Sequence, residues 1–168
     1  MRKTVAAAAA AGGMAVLIGG AGLAAASTGP ATSRPAAAKT EHFQLMSTSA
    51  TSSKNSLVAY GGAFTAGGTD QQNKNNTDTF KFAGGGFQVT HKVTGGTQHF
   101  SKATCMFSVR QHGTFKVSHG TGKYRGISGS GHFALSVIGV SVRAHGKCTQ
   151  RSVASQTLIQ AQGPVSLP

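Results

Sequence analysis

Negative charge is almost absent from this chain. Three acidic residues, Glu41, Asp70 and Asp78, stand against sixteen Lys and Arg, for a net charge of +13. No acid follows Asp78, so Gly129-Ser130-Gly131-His132-Phe133-Ala134, which fits G-x-G-x-x-A on paper, lacks the ribose-binding carboxylate of a dinucleotide site, and a strand follows it where a helix is needed. Walker-type phosphate loops, H-E-x-x-H, G-x-S-x-G and C-x-x-C are also missing, which removes the reactions that those motifs carry. The seven histidines (His42, His91, His99, His112, His119, His132 and His145) have neither ligand spacing nor carboxylate support, so no metal and no cofactor are expected. There is no Trp, and long apolar runs are scarce beyond the N-terminus, so the fold must be assembled from many short elements.

What is present begins with an export signal. Met1-Arg2-Lys3 precedes an uncharged run of Ala, Gly, Val, Leu and Ile that ends in Ala24-Ala25-Ala26, the pattern of a secretory signal peptide over residues 1–26. Ala and Gly contribute little transfer free energy, so no stable membrane anchor is expected after cleavage. Residues 27–40, rich in Ala, Ser, Thr and Pro, read as a disordered spacer, and residues 41–168 form one domain. Export places Cys105 and Cys148 where thiols oxidise, and a disulfide between them is expected; a nucleophilic role for Cys105 lacks an acidic orienting group nearby. The basic residues come singly among Ser, Thr and Gly without stacking aromatics. They imply attraction to polyanions but no specific nucleic-acid site.

Beyond Lys39 the apolar residues recur with period two, which predicts an all-β domain of eight or nine antiparallel strands. Phe43 and Leu45 open the first. Val58, Tyr60 and Phe64 alternate in a second that ends at Gly67-Gly68, and the polar run Gln71–Thr77 reads as a loop. Asp78, Phe80 and Phe82 share a face of the third strand, and Phe87, Val89, His91 and Val93 one face of the fourth. Further strands are expected around Thr97–Phe100, Thr104–Gln111, Thr114–His119, Gly131–Arg143 and Ser152–Gln162. On this alternation Phe80, Phe82, Phe87 and Val89 are candidates to line an interior cavity. Asp78 and His91 share those faces, and a carboxylate and an imidazole in apolar surroundings could serve as acid and base.

The glycine-punctuated stretch Gly120-Thr-Gly122-Lys-Tyr124-Arg-Gly126-Ile-Ser-Gly129-Ser-Gly131 reads as a tight corner that closes a barrel. It resembles the corresponding stretch of dirigent proteins and its counterpart in allene oxide cyclases. Ala63-Phe-Thr-Ala-Gly-Gly68 and Gly163-Pro-Val-Ser-Leu167 extend the likeness over roughly residues 41–167. The resemblance implies an eight-stranded antiparallel barrel, secreted, with an apolar central cavity able to hold a small hydrophobic or aromatic molecule, and a homo-oligomer, commonly a trimer. The cyclase's catalytic Glu has no counterpart, since the only Glu here is Glu41 at the domain's start, so no catalytic residue is carried over. The functional expectations are therefore a binding barrel, an isomerase or cyclase using Asp78 and His91, or a basic extracellular protein held on an anionic polymer.

Overall fold

The period-two pattern becomes eight antiparallel strands in the computed structural model, which describes residues 39–49 and 52–168. They are β1 (Lys39–Ser47), β2 (Lys54–Tyr60), β3 (Ala66–Gln72), β4 (Thr77–Phe82), β5 (Gly85–Phe100), β6 (Met106–Gly122), β7 (Ser128–Ala144) and β8 (Lys147–Ser166). Each strand pairs with the next, and β8 returns to β1 from Lys39↔Val165 to Ser47↔Thr157, so the sheet closes into a ring. No helix occurs among the described residues. The signal peptide expected over residues 1–26 lies outside the described residues. So does the spacer, apart from Lys39 and Thr40, which open β1.

Several strands differ from their sequence-based outlines. The second ends at Tyr60 because the chain turns at Gly61-Gly62; Gly67 and Gly68 belong to β3, a strand whose one apolar side chain is the small Ala66. The inward face of β2 is Asn55, Leu57 and Ala59, whereas Val58 and Tyr60 point outward, each 42% exposed. The polar loop contracts to residues 73–76. Thr97–Phe100 continues β5 past an irregularity between Val93 and Gly95. The segments on either side of Gly113 are one strand, β6, in which Gly113 pairs with Phe133 instead of turning the chain. Cys105 lies just before β6 with φ 57°, not within the strand.

The four short strands and the near halves of β5–β8 enclose an aromatic core. Phe43 packs edge-on against Phe80, Phe87 and Phe115, with ring centroids 5.5–6.1 Å apart. Below them Phe64, Phe82, Phe87 and Tyr124 form a second group, with Tyr124 5.0 Å from Phe64 and 5.2 Å from Phe82. The glycine corner is the β6–β7 turn. The seam that closes the ring lies elsewhere, between β8 and β1; the corner instead folds Tyr124 and Ile127 inward across one end, where they are 6% and 3% exposed. Gly120 makes this possible, since a Cβ there would run into the Tyr124 carbonyl, and Gly126 adopts φ 81° in the turn.

At the opposite end the ring is open. β1 stops at Ser47↔Thr157 and β4 at Thr77↔Thr90, so the far halves of β5–β8 continue as a four-stranded sheet beyond the ring. The Cys105–Cys148 disulfide, Cα–Cα 5.3 Å, fastens that extension.

Charge is sorted by sign across the wall. Glu41 and Asp70 are 0% and 1% exposed, Asp78 faces inward beside them, and every Lys and Arg among the described residues is exposed. The singly spaced cations expected on a solvated face are found there. The three carboxylates are inside.

Candidate functional site

The polar interior follows from register. Asp78 and Val89 are direct partners between β4 and β5, and one inward step along β5 brings His91 level with the Asp78 side chain. His91 Nδ1 lies 3.0 Å from Asp78 Oδ2, with side-chain exposures of 29% and 14%. The Asp78 hydrogen bond raises the His91 pKa above its ordinary value against the opposing effect of burial. Phe133 meets the imidazole nearly at right angles, 6.0 Å between centroids. The second Asp78 oxygen, Oδ1, is buried without a protein partner.

Asp70 stands on β3 opposite Phe80 and therefore also faces inward. Asn55 Nδ2 donates to its Oδ2 at 2.6 Å, while Oδ1 is buried and unpartnered. Desolvation is the largest influence on this carboxyl and lifts its pKa to about 7, with the Asp78 charge adding to the rise. Glu41, near the closed end, accepts N–H bonds from Ala63 at 2.6 Å and Phe64 at 3.3 Å, which holds the β2–β3 connection; burial still raises its pKa.

Asp70 therefore binds a proton on folding. Between about pH 4 and about pH 7 the unfolded chain holds fewer protons than the folded one, so this residue makes stability fall as pH rises through that window. Asp70→Asn keeps an acceptor for Asn55 and is expected to flatten the fall. Urea midpoints across the lower half of the window measure it, because His91, with its raised pKa, loses its contribution only at higher pH. An equal decline in both proteins would assign the titration to another group.

Above the aromatic core a cavity of about 90 Å³ remains, lined by Phe80, Val89, Phe115, Phe133 and Leu135 with Asp78 and His91 in its wall. The aromatics fill most of the interior. Of the residues expected to line a cavity, Phe80 and Val89 do so, whereas Phe82 and Phe87 are packed in the core beneath. Beyond the open end, the inner face of the extension forms a recess of about 880 Å³ that includes Gln98, Phe100, Phe107 and Ser141. Val109, Val137 and Thr157, on the same inward face of β6–β8, lie between the two.

Asp70, Asn55 and Glu41 escaped the sequence reading for different reasons. Glu41 precedes Phe43 by two residues and so shares its inward face, a parity signal that the sequence offers; Asn55 likewise shares the face of Leu57, but the conspicuous Val58 and Tyr60 anchor that strand's parity on the other side. Asp70 sits in Ala66–Gln72, where the small Ala66 is the only apolar side chain on its face; the pairing with β4 makes the inward direction plain.

Chemically, the Asp78 carboxylate fixes the ring orientation of His91, which leaves Nε2 able to take or give a proton toward the cavity. Among the described residues no group of three or more His, Cys, Asp or Glu side chains is placed to hold a metal ion. Fold and site together define an all-β protein built as a closed antiparallel ring, aromatic at one end and polar at the other. No family model, curated protein or solved structure matches the chain.

Proposed function

We propose that this chain is a secreted barrel of the allene oxide cyclase-like and dirigent-like kind, binding a small hydrophobic or aromatic molecule at the open end of its interior. The observation that carries this reading is the asymmetry of the ring. One end is sealed by Tyr124 and Ile127, whereas toward the other lie a small, mainly apolar cavity with Asp78 and His91 in its wall and, farther along the same inner face, a wide recess. A disulfide in the domain supports an oxidising compartment. Outward-facing Met106, Ile138 and Val140, on adjacent positions of β6 and β7, support the homo-oligomer that the resemblance implies.

The cavity's size supports a ligand longer than the cavity itself. A cavity of about 90 Å³ admits only one end of a molecule, whose remainder lies in the recess. A neutral lipophilic fluorophore, indifferent to the cationic outside, is expected to bind saturably, and Leu135→Trp, which fills the cavity, is expected to weaken it at least tenfold. Absence of binding, or binding that ignores this replacement, would remove the reading.

A second reading rests on the 3.0 Å contact between Asp78 and His91. In it the pair acts as base and acid on the bound molecule, as in an isomerase or cyclase. Asp78→Asn and His91→Gln would then abolish turnover of an epoxide or phenolic substrate while fluorophore binding survives.

A further inference from the structure

The outer wall carries an arrangement that the interior site does not use. Tyr60 on β2, His42 on β1, Gln162 on β8 and His132 on β7 are successive register partners, so their side chains form one outward row across four strands. His42 and Tyr60 are stacked, with centroids 5.2 Å apart and planes 16° from parallel. Gln44 and Gln160, themselves direct partners, occupy the next outward row. Small Ala134, paired with Gln160, leaves a depression of about 350 Å³ between the rows.

We propose that this depression is a binding site for an uncharged, hydroxyl-rich glycan chain. Two features select that class. Tyr60, 42% exposed and steadied by its stacking on the half-buried His42, offers an apolar ring to the C–H face of a sugar, and the amides of Gln44, Gln160 and Gln162 each present a donor and an acceptor, matching the dual character of hydroxyl groups. The second feature is an exclusion: on a molecule whose exterior is otherwise studded with cations, the depression has no Lys, Arg, Asp or Glu in its lining. A site for nucleic acid or an acidic polymer would place cations beside its aromatics. With strands about 4.8 Å apart, the row from Tyr60 to His132 is about 14 Å long, room for roughly three pyranose rings laid across the strands.

The chain's own composition supplies the readout. It has no Trp and two Tyr, so Tyr124→Phe leaves Tyr60 as the sole tyrosine fluorophore while keeping the buried ring. Titration of that variant with soluble oligosaccharides of cellulose, chitin and starch is expected to give a saturable change in Tyr60 emission with at least one of them. By calorimetry on the native sequence, Tyr60→Ala is expected to weaken binding at least tenfold and Gln162→Ala about fivefold, a typical loss for one hydrogen bond. Tyr60→Phe, which keeps the stacking face, is expected to retain most of the affinity, with unchanged melting temperatures showing that all three variants fold. The proposal is overturned if none of the three glycans binds, if Tyr60→Ala binds like the native protein, or if heparin or an oligonucleotide displaces the sugar at physiological salt.

Discussion

Replacing Phe87 with alanine is expected to lower stability by about 3–5 kcal/mol, the range for removing a fully buried phenylalanine from a core that collapses only in part. Phe87 is 1% exposed and is the ring common to both aromatic groups. It lies 5.5 Å from Phe80, 5.6 Å from Phe82, 5.8 Å from Tyr124, 6.1 Å from Phe43 and 6.2 Å from Phe64. Its removal therefore loosens the plug at the closed end and the floor of the cavity together. Urea unfolding gives the loss, and near-UV dichroism gives its location, because Tyr124 loses a rigid neighbour while Tyr60 on the outer wall does not. Val93→Ala, at a residue 45% exposed, is the control and should change stability by less than about 1 kcal/mol. A loss at Phe87 as small as at Val93 would mean that the aromatic groups repack freely, and the cavity above them would then have no fixed floor.

Removing the disulfide by Cys105→Ala with Cys148→Ala is expected to cost about 4 kcal/mol, from the entropy returned to an unfolded chain no longer closed over a sequence separation of 43. The local effect should be as informative as the total. The bridge joins the approach to β6 with the start of β8, across the intervening β7, and Ser141 N–H donates to the Cys105 carbonyl at 2.9 Å in the same place. Few other residues are buried in the far halves of these strands, whereas the ring has its aromatic core. Amide exchange should therefore accelerate first around Cys105, Ser141 and Cys148 and leave Phe43, Phe80 and Val117 protected. Uniform acceleration would show that extension and ring unfold as one unit.

Much of the ring was legible in the sequence where apolar residues marked one face, as in Phe43 and Leu45, or Phe87 and Val89. β2 went wrong by one residue because Val58 and Tyr60 are the more conspicuous apolar side chains, yet Leu57 and the small Ala59 are the buried ones; parity can be counted only once the anchor is known. Glycine misled in both directions. Gly113 looked like a break and lies inside a continuous strand, while Gly67 and Gly68 looked like a terminus and are part of β3. Asp78 and His91 could be nominated from their own strands. The presence of Asp70 nearby could not, since it depends on pairing between strands that share no local pattern.

The placement of the three carboxylates has a consequence for how the folded molecule meets its solvent. Among the described residues the one ion pair is interior, so the exposed Lys and Arg have no fixed counter-charge of their own and draw their neutralising ions from solution. Added salt has few favourable surface pairs to weaken and much self-repulsion to relieve. Moderate ionic strength, which erodes surface electrostatics in most proteins, is therefore expected to stabilise this one.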